Sequence, residues 1–219
     1  MTLFIGNQEI SGIYVGGSLA SAVYVGDLKV WPTGVEPPAE VFDWVDDFER
    51  SSIGSDWTGS GGVIAGTAPN RHLKKSASTG SADYWTTQQF SSDDLIVETV
   101  LGPVTDAQQK AAIMLGSTAQ NIYVEFSQQT GIIGAYNGTS WTTLNNFGAI
   151  SWAEGDVIRV ERIGTAIRLY RNSALIASAT SSVARGTAHR RVALSVKANT
   201  VFVVTFYGPT FDKVSIRAD

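Results

Sequence analysis

Trp44-Val45-Asp46-Asp47-Phe48-Glu49-Arg50, continued by Ile53, Gly54 and Trp57, is the segment around which the rest of the chain is organised. It follows a proline-rich break and opens a run in which strand signals dominate to the end of the chain. Its expected partner is the last such segment, Phe211-Asp212-Lys213-Val214-Ser215-Ile216. A sandwich whose first and last strands pair has its ends tied together without a disulfide.

Between these two segments the hydrophobic period is two. Leu95, Val97 and Thr99 alternate with Ile96, Glu98 and Val100, and Ile122, Val124 and Phe126 face away from Tyr123 and Glu125. Ile158 and Val160 oppose Arg159 and Glu161, and Ile167 and Leu169 oppose Arg168 and Tyr170. Val192, Leu194 and Val196 form another apolar row, and Phe202, Val204 and Phe206 the next. Such alternation marks strands with one buried face. Asn137-Gly138 is the strongest hairpin signal between them, with Gly164-Thr165 and Asn172-Ser173 weaker. Ala107 to Leu115 is the nearest approach to a helical turn, and Ala111 to Leu115 reads better as strand. Roughly ten or more short strands at this spacing predict an all-β jelly-roll sandwich over residues 41–219.

Upstream, Leu3-Phe4-Ile5-Gly6, Ile13-Tyr14-Val15-Gly16 and Val23-Tyr24-Val25-Gly26 repeat at a spacing of ten. Apolar and aromatic residues favour strand and glycine supplies the turn, so residues 1–31 read as a small β-repeat segment. It is too short to bury a core alone. Phe4, Tyr14, Tyr24 and Trp31 are its candidate assembly residues. Residues 32–40, with Pro32, Pro37 and Pro38, form the linker.

Composition narrows the function. Aromatics make up 10% of the chain and charged residues only 16%, with a net charge of −4. No basic cluster exceeds Lys74-Lys75 or Arg190-Arg191, which argues against nucleic acid as a partner. The absence of cysteine removes disulfides and thiolate metal sites. No stretch reaches the roughly 20 apolar residues of a membrane span. The first ten residues lack the basic start and apolar run of a signal peptide, so the chain reads as one not exported by the general secretory route.

Here the residues carry a resemblance. Trp44 to Arg50 followed by Ile53-Gly54 and Trp57, and Gly155-Asp-Val-Ile-Arg-Val-Glu-Arg162 leading into Ile167 to Ile176, resemble the concanavalin A-like, laminin G-like sandwiches of phage tail proteins. Ser173 stands where that hairpin commonly has glycine. The amino-terminal decads are similar to repeats at the start of minor tail proteins of phages that infect Gram-positive bacteria. The resemblance implies a virion protein made in the host cytoplasm and attached by its repeats to other phage tail proteins. It implies a homo-oligomer, with a trimer as the specific expectation, and a lectin-like sandwich turned toward cell-envelope glycans.

A glucanase needs two carboxylates about 5–9 Å apart, and related glucanases carry Glu-x-Asp-x-x-Glu. The nearest match, Glu154-Gly155-Asp156 followed by Val157, Ile158 and Arg159, fails at its last position. No Gly-x-Ser-x-Gly elbow or phosphate loop occurs, and His72 and His189 sit in polar stretches that read as surface. The chain therefore reads as non-enzymatic, with no catalytic residues and no required cofactor. Calcium is the one metal it admits, at Asp46, Asp47 and Asp212. For carbohydrate the candidates are Tyr84, Trp85, Tyr136, Asn137, Trp141 and Trp152, aromatics beside polar or turn residues; Trp44 and Trp57 read as core. The alternatives are a purely architectural virion protein and a glycan depolymerase of glucanase-like fold.

Overall fold

Period-two segments bury their apolar side only when two sheets stack, and this is what the chain does. The computed structural model describes residues 42–76, 78–104, 109–127, 129–202 and 204–219, together with the backbone of short strands within 4–31. The chain separates into two units, Met1–Val41 and Phe42–Asp219.

In the first unit each decad makes one two-stranded hairpin: β1 (Phe4–Ile5) with β2 (Gln8–Glu9), β3 (Tyr14–Val15) with β4 (Ser18–Leu19), and β5 (Val23–Val25) with β6 (Leu28–Trp31). Phe4, Tyr14, Tyr24 and Trp31 fall on these strands, but their side chains, like the linker 32–40, lie outside the described residues.

The second unit is a sandwich of two antiparallel sheets. Its strands are β7 (Trp44–Asp46), β8 (Trp57–Thr58), β9 (Gly62–Ala65), β10 (His72–Lys75), β11 (Gly80–Thr86), β12 (Leu95–Leu101), β13 (Ala111–Gly116) and β14 (Asn121–Phe126). They continue with β15 (Gly131–Tyr136), β16 (Trp141–Asn146), β17 (Val157–Ile163), β18 (Ala166–Arg171), β19 (Ala174–Thr180), β20 (Arg191–Val201), β21 (Val204–Tyr207) and β22 (Phe211–Ala218). The first sheet runs β19-β18-β17-β12-β22-β10-β9, with β7 also on β22. The second runs β16-β15-β14-β13-β20-β11-β8, with β21 also on β20. The expected pairing of the first and last sandwich strands is present, with Trp44 opposite Ile216 and Asp46 opposite Val214. The Ala218 amide adds a hydrogen bond to the Asp43 carboxylate at 2.8 Å.

Leu95, Val97, Ile158, Val160, Ile167 and Leu169 of the first sheet meet Ile122, Val124, Phe126, Val192, Leu194 and Val196 of the second, all in one core. Each such side chain contributes about 1.5–3 kcal/mol of burial. The expected row Phe202, Val204 and Phe206 behaves differently. The β20–β21 ribbon runs past the ends of β11 and β13, and no facing strand covers it among the described residues. Phe202 is 97% exposed and Val204 and Phe206 are also exposed. Period two identified the strand, but alternation cannot show whether anything lies over its apolar side.

The turns follow local chemistry. Asn172 and Ser173 both take positive φ, 48° and 68°, as a two-residue turn between right-twisted strands requires. Asn172 tolerates this because its amide is fixed at both ends, accepting from the Val157 amide and donating to Asp156, each at 2.8 Å. Asp156 also accepts from the Ala153 amide and pairs with Arg171, so the Glu154-Gly155-Asp156 segment is structural.

Asp46 joins the two sheets. Arg50 grips it with two hydrogen bonds of 2.6 Å, the Trp57 indole donates at 2.6 Å and the Phe48 amide at 2.8 Å. Asp46 lies in the first sheet and Trp57 in the second. Burial alone would raise this carboxyl, but the donors outweigh it and hold its pKa below the ordinary range. Asp47, named above as a calcium candidate, is exposed and accepts locally, from the Glu49 amide.

His72, expected at the surface, is buried on β10 with its Nδ1 lacking a partner. Burial pushes its pKa down, and the nearby Lys74 acts the same way.

Two stability predictions follow from these groups. Asp46→Ala strands Arg50 and the Trp57 indole, and should cost about 2–4 kcal/mol in urea unfolding; a loss below about 0.5 kcal/mol would show that the network does not hold the sheets. Burial disfavours the charged His72 ring in the fold, so its contribution is whole above about pH 6.5 and is lost as pH falls from there through the lowered folded pKa. Asp46 and Asp156, both depressed, keep their contribution until the acid range of ordinary carboxylates and lose it below. Asp212 has the opposite sign: its pKa is raised by burial and by Glu49 and Glu154, against the effect of His72. The urea midpoint should therefore drop between pH 8 and pH 5 in the wild type and much less in His72→Gln. Equal midpoints in the wild type would contradict this.

Candidate functional site

The outward side of the second sheet collects the polar and aromatic residues that alternate with the core. Register places them in rows. Tyr123, Met114, Ala193 and Trp85 stand side by side on β14, β13, β20 and β11. The next row is Glu125, Ala112, Ser195 and Asp83 on the same four strands. Small side chains in the middle and large ones at the sides make a trough of about 290 Å³, lined among others by Asp83, Met114, Tyr123, Glu125, Trp141 and Lys197. That is the small end of the range for ligand clefts.

One wall is aromatic. Tyr136 and Trp141 lie opposite each other on β15 and β16. Their rings stack at 4.6 Å and 27°, and Tyr123 meets Trp141 edge-on at 4.7 Å and 79°. Trp141 remains 58% exposed although it is held by both neighbours. A Cβ on Gly134 would stand 2.3 Å from the Tyr123 ring, so this glycine is what lets the tyrosine lie down across its neighbouring strand. Asn137 shapes the turn that sets this wall, its Oδ1 accepting from the Thr139 and Ser140 amides at 2.9 Å each.

The charges are ordered too. Lys110 and Lys197 clasp Glu125 at 2.5 and 3.0 Å. Burial would raise the Glu125 carboxyl, but the two ammonium groups overcome it and keep it ionised below its ordinary range. Asp83 accepts from the Ser195 hydroxyl at 2.5 Å.

Of the six carbohydrate candidates, Tyr136 and Trp141 belong to this face, with Asn137 in its turn; Trp85 points the same way but is buried against Met114 and Ala193 and does not line the trough. Tyr84 and Trp152 point the other way and are corrected to core residues. Adjacent residues of a strand face opposite sides, so Trp85 outward forces Tyr84 inward, where its hydroxyl accepts from the Gly62 amide. Trp152 packs on Phe126 and donates its indole N–H to the Ser127 carbonyl. Tyr123, Glu125, Asp83, Lys110 and Lys197 were not among the candidates. The alternation at Ile122-Val124-Phe126 had already placed Tyr123 and Glu125 outward, but the cross-strand partners come from distant segments.

Of the calcium candidates, Asp212 lies on β22 near His72, Glu49 and Glu154, while the other two carboxylates are engaged by protein donors. Asp46 is saturated by donors, one of them a cation, and Asp47 accepts a backbone amide. Among the described residues no three His, Asp or Glu side chains come together to hold a metal, and no helix is long and apolar enough to cross a membrane.

Neither a family model nor a curated protein matches the sequence. Solved structures do. A Bacillus subtilis protein of unknown function with a galectin-like fold superposes with a TM-score of 0.62 at 8% identity, over 81% of this chain and 96% of that one. The carbohydrate binding module CBM66 from Bacillus subtilis gives 0.51 at 13% identity, over 77% and 94%. A Bacillus licheniformis beta-glucanase gives 0.56 at 11% identity, over 80% and 98%. The non-enzymatic expectation is corrected on this ground: several of the similar structures are glucanases or other glycoside hydrolases, so the architecture is one that also houses enzymes. The second unit is a jelly-roll β-sandwich of the concanavalin A-like and galectin-like kind.

Proposed function

We propose that the outward face of the second sheet binds a glycan, with Trp141, Tyr136 and Tyr123 as its stacking platform. The observation that carries this reading is the exposed Trp141 ring, pre-stacked on Tyr136 and braced by Tyr123 beside the trough. Sugar rings present apolar C–H faces, and a platform fixed before binding loses little freedom when they stack on it. Asp83, Ser81 and Ser195 line the same trough and supply hydrogen-bonding partners for hydroxyls. That a carbohydrate binding module shares the fold agrees with this reading.

A second reading, cleavage of the bound glycan, is favoured by one feature. Asp83 and Glu125 stand on opposite sides of the floor, roughly 14 Å apart at the backbone, and both carboxylates bond inward, to Ser195 and Lys197. An ionised Glu125 suits a base or nucleophile rather than the acid of such a pair. We further read the amino-terminal decads as the attachment segment of a phage tail protein, released in the virion and joined to other tail proteins. That part rests on their resemblance in sequence.

Binding of the labelled chain to Gram-positive cells and purified wall polysaccharides tests the proposal. Trp141→Ala should weaken binding by about tenfold or more, with the fold intact by circular dichroism. No binding to a broad panel by the folded wild type would leave an architectural role. Release of reducing ends, abolished in Asp83→Asn and Glu125→Gln, would establish cleavage.

A further inference from the structure

The charges that line the trough do not balance. Asp83 and Glu125 stand there against a single cation, Lys197. Glu125 is neutralised in place, since its side chain is only 12% exposed and both Lys110 and Lys197 bond to it. Asp83 is the reverse case. It is exposed, its Oδ1 accepts from the Ser195 hydroxyl, and its second oxygen takes no hydrogen bond among the described residues. The lining lysine turns away from it. Asp83 lies opposite Ser195 and Lys197 opposite Ser81, which makes Asp83 and Lys197 diagonal neighbours on β11 and β20. The Lys197 ammonium nevertheless reaches across β13 to Glu125 on β14. Among the described residues no lysine or arginine pairs with Asp83, so the trough presents one uncompensated negative charge.

The aromatic wall favours a ligand of the same sign. The face of an indole or phenol ring is its negative side and attracts a cation within about 6 Å of the ring centre. The protein's own cations over ring faces lie elsewhere: Arg50 over Phe48, Lys74 over Tyr207 and Arg171 over Trp152. Among the described residues none covers Trp141 or Tyr136. Tyr123 and Asp83 are three strands and two residues apart, roughly 16 Å at the backbone. A ligand that meets both the platform and the carboxylate is therefore an oligosaccharide laid across the strands, with a ring stacked at one end and a charge at the other. The net charge of −4 on the whole chain draws such a ligand in rather than repelling it.

We infer that the trough selects saccharides that carry a free ammonium group, the unacetylated amino sugars, and that Asp83 is the residue that receives it. The inference deepens the proposed glycan binding and rests on it. Lys110 and Lys197 then have a positioning role: by holding Glu125 they keep Lys197 off Asp83 and leave that carboxylate open to the ligand.

The test is titration of the full chain with three hexasaccharides of one backbone geometry, those of chitosan, chitin and cellulose. Their rings differ only in carrying an ammonium, an acetamide or a hydroxyl. At low salt the chitosan hexamer should bind about tenfold or more tightly than the other two. The preference should shrink when salt is raised from about 0.05 to 0.5 M. It should fall to about one in Asp83→Asn and return in Asp83→Glu, each shown to be folded by circular dichroism. Equal affinity for all three, or a preference that survives Asp83→Asn, overturns the inference while leaving glycan binding in place. Trp141→Ala reads the platform, since its loss should extend to all three hexamers. Absence of binding to all three by the folded wild type overturns the inference. Only if the wall polysaccharides also fail to bind does the glycan reading fall with it.

Discussion

The sandwich depends on one buried carboxylate. Asp46 sits on a strand of only three residues, too short to be held by its ladder alone, and makes up for this with side-chain bonds that reach the other sheet. Four donors converge on two oxygens, and the tryptophan among them is itself wedged between Trp44 and Phe48. Hydrogen bonds to a charged acceptor are about twice as strong as neutral ones. The same group would be a liability if any donor were lost, because a buried charge without partners is costly. The segment from Trp44 to Trp57 therefore behaves as one unit that closes an open side of the sandwich.

The outward face of the second sheet is built on a different principle. Its floor is low because the chain supplies Ala112, Ala193 and Ser195 in the middle strands. It needs walls that do not collapse onto that floor. Gly134 provides this on one side by letting Tyr123 lie over β15 and brace Trp141 from below. Trp85 and Met114 pack on Ala193 as a small outward cluster separate from the main core. Removing side chains at chosen strand positions has shaped this face as much as adding aromatic ones.

Most of the architecture was legible because it rests on local rules. The apolar rows of β12, β14, β17, β18 and β20, the Asn172-Ser173 turn and the pairing of the first and last strands all follow from period, turn chemistry and the need to bury one side. The site was less legible, for two physical reasons. Reading Tyr84 and Trp85 together ignored that neighbours on a strand face opposite sides. Grouping Glu125 with Lys197 requires knowing that β14 and β20 both flank β13, which is a matter of long-range pairing. The exposed ribbon of β20 and β21 shows the same limit, since a strand's pattern carries no information about the neighbour that would cover it.

The bond between Ala218 and Asp43, beside the Trp44–Ile216 pairing, brings both ends of the sandwich to one point. A unit whose entry and exit coincide can be spliced into a surface loop of a host chain without stretching either. The same adjacency fixes how it meets a mechanical load. A pull applied between its own two ends would peel the β7–β22 ladder open one bond at a time. A pull between one end and the second sheet would instead have to strain many ladder bonds together.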